Sequence, residues 1–168
     1  GRLSERVGIP SILYLFALCY VGNLVGSVFL AWLVVKGGSL VSASVELIVK
    51  SSEVKMNLPA DQLFLRGIAC NWLVCLAVWT SSRTQNDAAK LIMVFWCLFA
   101  FISSGFEHSI ANMTLLGMGL FLPHGPEVSI GGFFYNQLWV VLGNLVGGGI
   151  MVGTVYWYTV SGALDEKA

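Results

Sequence analysis

Ser103-Ser104-Gly105-Phe106-Glu107-His108-Ser109-Ile110-Ala111-Asn112-Met113-Thr114 interrupts an apolar region that runs from Leu91 to Leu122. The piece before the charged pair, Leu91 to Phe106, has 16 residues and the piece after it, Ser109 to Leu122, has 14. A helix needs roughly 20 apolar residues to cross a bilayer, so neither piece crosses alone while the two together do. Gly and Ser between them can leave helical geometry and cap a new start. The pattern predicts one span built from two half-helices, with Glu107 and His108 at the break. Ionisable groups at that depth cost about 2.5–3.5 kcal/mol each on insertion scales, so they mark either a pathway or a structural pair. The N-terminus of a half-helix adds partial positive charge, which suits an anion.

Outward from this region the chain stays apolar. Ser11 to Val35 supplies 25 residues without a charge, and Phe133 to Val160 supplies 28. Leu63 to Ser82 is a further span, with Arg66 close enough to its start to snorkel toward headgroups. With 57% hydrophobic and 11% charged residues, the composition lies outside that of a soluble domain and predicts an all-α membrane protein. The 9 basic and 9 acidic residues cancel, which gives no reason to expect nucleic acid as a partner. The first apolar run is too long for a signal peptide and lacks a small-residue cleavage site. Because the chain begins at Gly1 rather than Met, it is expected to be part of a longer protein.

Basic residues before the first span (Arg2, Arg6) and between the second and the broken one (Arg83, Lys90) predict cytoplasmic placement for both. The stretch Pro123 to Gly132 has no Lys or Arg and is assigned to the other side, which also puts both chain ends in the cytoplasm. Lys50 and Lys55, in the connection between Lys36 and Arg66, break the pattern. Cys19, Cys70, Cys75 and Cys97 all lie inside apolar runs with no CxxC pair and no neighbouring His, so they read as small buried hydrophobes. No metal and no cofactor are expected.

Gly22-Asn23-Leu24-Val25-Gly26 recurs letter for letter as Gly143-Asn144-Leu145-Val146-Gly147. Each copy is a small-xxx-small pattern that lets helix backbones approach in lipid, and each carries an Asn that needs a polar partner or a wet cavity. Transport folds are often duplications. If the first and last spans correspond, the parent holds a further plain helix and a further broken helix before Gly1, with two halves of three helices in opposite orientation. Residues 1–168 are then the C-terminal two-thirds of one channel domain, with spans at about 11–35, 63–82, 91–122 (broken near 104–108) and 133–160.

Three segments resemble the formate/nitrite transporter family: Ser104 to Met113, Cys70-Asn71-Trp72-Leu73-Val74-Cys75-Leu76-Ala77-Val78-Trp79, and the two Gly-Asn-Leu-Val-Gly repeats. The likeness extends over essentially the whole chain, and Cys70-Asn71-Trp72, Asn112-Met113-Thr114-Leu115, Trp96 and Trp139 resemble its nitrite branch. It implies an aquaporin-like inverted-repeat helical channel in which this chain supplies helices three to six, assembled as a homopentamer in a bacterial inner membrane. It also implies His108 as the central pore histidine, Phe101 as an aromatic constriction, Lys55 as a vestibule lysine, and Asn71 and Asn144 as pore lining. Glu107 and Asn112 join this set from the polar cluster.

On this reading Lys55 concentrates small monovalent anions such as nitrite, formate or hydrosulfide by Coulomb attraction. The apolar neck at Phe101 disfavours charge and raises the anion's proton affinity. His108 can then give it a proton, or it crosses unprotonated beside the imidazole. An aquaporin-like pore for water or neutral solutes would be expected to carry Asn-Pro-Ala caps, and the chain has none. A non-transporting interaction subunit leaves Glu107-His108 unexplained. An enzyme is disfavoured because no nucleophile stands with its base.

Overall fold

The computed structural model describes residues 8–165, all in helices and their connections. In chain order these are α1 (Ile9–Lys36), α2 (Ser42–Met56), α3 (Ala60–Ser82), α4 (Asp87–Ser103), α5 (Ser109–Phe121) and α6 (Ile130–Leu145). A π-helical segment (Val146–Thr154) and α7 (Val155–Asp165) then continue α6. Ile9–Lys36, Ala60–Ser82 and Ile130–Val160 are long and apolar enough to cross a membrane. Arg2, Arg6, Gly1 and Ala168, used above for orientation, lie outside the described residues.

The chain divides into two compact units. One holds the described residues up to Glu53 together with Ile110–Ser129, and the other holds Val54–Ser109 with the described residues from Ile130 onward.

In the first unit α1 starts after Gly8 with Pro10 in its first turn, where a missing N–H costs nothing. It stops where the Gly37 N–H closes on the Leu33 carbonyl at 2.8 Å and Gly38 turns left-handed at φ +66°. Leu13, Phe16, Val25, Phe29 and Leu33 are among its many exposed apolar side chains, while Ser27 and Ala31 are its buried ones. A helix greasy all round with only small residues covered is built for lipid on most faces. Ala31 meets α5 at Gly117, where an added Cβ would stand 3.2 Å from the Ala31 methyl. Gly119 faces Ser52 of α2 still more closely, with the Ser52 Cβ 2.7 Å from where a glycine Cβ would be built. Met113 and Leu116 are fully buried beside these glycines.

The 37–59 connection is thus largely a helix, α2, which the apolar-run reading above did not anticipate because its residues are mixed rather than greasy. Lys50 and Lys55 belong to that helix rather than to a loop.

In the second unit α3 and α6 cross backbone against backbone. An added Cβ at Gly67 would lie 2.9 Å from the Val140 carbonyl oxygen, and one at Gly143 would run into the Phe64 carbonyl. Gly147 is closed in the same way by the carbonyl of Ile68. The buried residues of α6 are Phe133, Asn136, Gln137, Val140, Gly143 and Asn144, a single face at spacings of three and four. That face carries three amides, so the helix pairs by polar contacts as well as by close packing. Beyond it the nine-residue π-helical run is rich in glycine. A Cβ at Gly148 would meet Asn71 Nδ2 at 2.5 Å and Cys75 Sγ at 2.9 Å, so only glycine lets this segment lie against α3.

A candidate permeation site at the helix break

The apolar region from Leu91 to Leu122 is divided at residues 104–108. α4 begins under an Asn86 cap whose side chain accepts from the Ala89 N–H at 3.0 Å. It ends in a Schellman closure: Gly105 is left-handed at φ +67°, its N–H reaches the Ile102 carbonyl at 3.2 Å, and the Phe106 N–H reaches the Phe101 carbonyl at 3.1 Å. Only glycine takes that φ without cost, so Gly105 is the residue that ends the first half-helix. The chain then passes through Phe106, Glu107 and His108 before α5 starts at Ser109.

Backbone groups freed at such a break must be paired inside the protein, because lipid offers no hydrogen bonds. Asn144 of α6 pairs two of them. Its Oδ1 accepts from the Ser109 N–H at 3.0 Å, capping α5 from a neighbouring helix. Its Nδ2 donates to the Glu107 carbonyl at 3.0 Å and to the Gly67 carbonyl at 2.9 Å. The Glu107 N–H donates to the Arg66 carbonyl at 3.3 Å, and Gln137 Nε2 donates to the Ser109 carbonyl at 3.1 Å. Asn71 Nδ2 in turn donates to the Asn144 carbonyl at 2.6 Å. The break is therefore held between α3 and α6 by side-chain amides.

The Glu107 carboxylate is 1% exposed and meets the Lys55 ammonium, 20% exposed, at 2.7 Å. Lys55 sits in the last turn of α2, where a cation is favoured by the helix dipole. Its carbonyl accepts from Asn136 Nδ2 at 2.9 Å, and Asn136 is fully buried. The ring of His108 stacks on Phe101, with centroids 5.8 Å apart and planes 27° from parallel. Phe101 is buried and His108 half-buried.

Of the seven residues singled out from the sequence, six lie in this unit: Phe101, Glu107 and His108 at the break, Lys55 beside it, and Asn71 and Asn144 on the helices that hold it. The seventh, Asn112, is buried on α5 and belongs to the other unit. Lys55 is already engaged by Glu107, so it offers an anion less than a full free charge. Glu107 serves both as ion-pair partner and, through its backbone, as part of the tie across the break. Asn136 and Gln137 were missed. Both are polar in an otherwise greasy run, and Gln137 stands seven residues before Asn144, two turns along the same face, which was the available signal. Among the described residues no three His, Cys, Asp or Glu side chains come together as a metal site.

The model of the formate/nitrite transporter family matches residues 1–158. The chain is 48% identical over 140 residues to the nitrite transporter NirC of Escherichia coli K12, covering 83% of this chain and 52% of that protein. It is 35% identical over 176 residues to a probable formate transporter of Methanothermobacter thermautotrophicus, covering 95% of this chain and 63% of that one. Among solved structures it superposes on an FNT family ion channel with a TM-score of 0.86 at 40% identity, covering 93% of this chain and 63% of that one. A pentameric formate channel with formate bound gives a TM-score of 0.84 at 28% identity, covering 93% of this chain and 69% of that one. The chain spans about half the length of the nitrite transporter it matches. With its apolar spans and with a family model that matches nearly its full length, this chain belongs to the formate/nitrite transporter family.

Proposed function

We propose that this chain forms the permeation path of a multi-pass membrane channel for small monovalent anions, nitrite or formate foremost, with hydrosulfide a further substrate. The observation that carries the reading is the polar break itself: a histidine stacked on an aromatic ring and a buried Glu107 met by Lys55 of α2, in an otherwise apolar region. An intramembrane imidazole is costly unless it serves a path or a pair, and it is a group able to exchange a proton with a weak acid. Phe101 disfavours a bare anion beside His108. A proton passed to the anion, from His108 directly or through water, lets the neutral acid cross and is returned on the far side. Lys55 supplies the attraction at the entrance, softened by its pairing with Glu107.

The arrangement proposed for the parent is the inverted-repeat channel, in which α1 and α6 are symmetry mates and this chain contributes helices three to six of a six-helix protomer. It is supported by the repeated Gly-Asn-Leu-Val-Gly segment and by the pentameric relative, and it carries with it a homopentamer in a bacterial inner membrane. The test is flux into liposomes. Nitrite and formate should enter faster than into protein-free vesicles, faster at pH 6 than at pH 8 when driven by equal anion gradients, and faster than glycerol. Glycerol or water flux without anion flux would replace this reading with a neutral-solute pore, and no flux of any solute would leave a membrane interaction subunit.

A further inference from the structure

At the end of α3 away from the helix break, Trp79 packs against Tyr156 of α7 with ring centroids 4.4 Å apart and planes tilted by 34°. The guanidinium of Arg83, the residue that closes α3, lies over the same indole with its carbon 5.2 Å from the ring centroid. A guanidinium held over an indole in this way keeps its charge and its planar set of N–H donors, the group that binds oxyanions bidentately. The nearby hydroxyls do not compete for a ligand: those of Thr80, Ser81 and Ser82 donate to the helix carbonyls of Leu76, Val78 and Trp79. Lys90, across the short connection, is neutralised by Asp87 at 3.0 Å. Among the described residues no carboxylate pairs with Arg83, and its side chain is exposed.

The surroundings place this guanidinium at headgroup depth. Trp79 and Tyr156 are followed on α7 by exposed Trp157 and Tyr158, and Trp and Tyr gather where a span leaves the hydrocarbon. The glycine-rich π-helical segment sets the direction in which Tyr156 leaves it, and Thr154 Oγ1 donates to the Gly149 carbonyl at 3.1 Å within that segment. The aromatic platform therefore depends on a non-α register.

We propose that Arg83, held over Trp79, is a binding site for the phosphodiester of an anionic phospholipid headgroup. The chemistry needed is present: a free planar fork for the phosphate oxygens, a rigid aromatic support that has already restricted the long side chain, and adjoining apolar surface for the acyl chains.

The test uses the full-length protein purified in mild detergent and then supplied with equal amounts of phosphatidylglycerol and phosphatidylcholine, with retained lipid counted by native mass spectrometry. The wild type should retain phosphatidylglycerol preferentially. Arg83→Gln should lower that retention about fivefold, in line with the worth of one basic side chain at an anionic surface. Arg83→Lys should recover part of it, since it restores the charge without the fork. Trp79→Leu should weaken retention while keeping the charge, and because Arg83 is exposed, the Arg83 variants keep the wild-type melting temperature as a check on folding. Inorganic phosphate at matched ionic strength should not displace the lipid. Equal retention of the two lipids, unchanged retention in Arg83→Gln, or displacement by inorganic phosphate would overturn the proposal, the last by identifying a soluble anion as the ligand. Full retention in Trp79→Leu would remove the aromatic platform from it.

Discussion

At Glu107 the carboxylate is 1% exposed while the Lys55 ammonium that meets it is 20% exposed, so the two partners are not equally able to lose each other. Lys55→Gln takes the neighbouring cation away from a carboxylate closed to water, and losing the charged partner of a buried carboxylate is destabilising. Glu107→Gln leaves an ammonium that can turn toward water and should cost clearly less. Chemical denaturation in detergent should therefore rank Lys55→Gln below Glu107→Gln in stability, with the double variant recovering much of the loss. Equal losses would mean that the burial of Glu107 does not matter. The same pair bears on anion capture. In the double variant the site stays neutral, so a rise in the half-saturating nitrite concentration that is largest at low ionic strength would assign capture to the Lys55 charge. At His108 the expectation concerns pH. His108→Asn keeps a hydrogen-bonding group but cannot titrate, so flux should fall and lose the part of its pH dependence that an imidazole supplies. Flux from His108→Asn with the wild-type pH profile would exclude the histidine as proton donor.

Among the helices, the break depends most on α6. Asn144 bonds the Ser109 N–H and the Gly67 and Glu107 carbonyls. Replacement by Leu removes this partner from the Ser109 N–H and the Glu107 carbonyl at the break, and one unsatisfied buried group already costs about 1–3 kcal/mol. A loss of about 2–4 kcal/mol is expected once neighbouring groups relax. Hydrogen exchange should locate it at the first turn of α5, with amide protection there lost before that of α1. The α3–α6 crossing is comparably intolerant: Gly143→Ala drives a methyl into the Phe64 carbonyl and must push the helices apart. That strain cannot be relieved by a rotamer change because the obstacle is backbone. A melting temperature for Gly143→Ala within a degree or two of wild type would show that the crossing is looser than its geometry.

On the scale of the whole molecule, the two Gly-Asn-Leu-Val-Gly copies are treated differently. Around Gly143 and Gly147 the backbone of α3 closes in, whereas added Cβ atoms at Gly22 and Gly26 would meet nothing within 4 Å among the described residues. Asn144 ties the break together, whereas Asn23 Nδ2 donates at 2.8 Å to the Cys19 carbonyl of its own helix. The proposed inverted repeat makes a definite demand on this contrast. In the full-length protein Gly22→Ala should destabilise to a degree comparable with Gly143→Ala, because a helix corresponding to α3 would cover it. If Gly22→Ala melts with the wild type while Gly143→Ala does not, α1 and α6 are not symmetry mates.

Much of this architecture was legible in the sequence for simple reasons. Charge-free runs near the bilayer thickness can only be helices crossing it, and a Gly-Phe-Glu-His sequence inside such a run marks a place where the helix cannot continue cheaply. The α2 helix was not legible, because its mixed residues show no strong apolar period, and neither was the π-helical register, which depends on how closely glycines let one backbone lie on another. The apolar runs and the polar break could be read from residue order alone. Only the tertiary structure decided that Lys55 is spent partly on Glu107, that Gln137 and Asn136 join the polar face, and that of two identical five-residue segments it is the second that holds the break. The physical reason is that a hydrogen bond or an ion pair is chosen by what lies across the helix interface, and identical local sequence carries no information about the partner it meets.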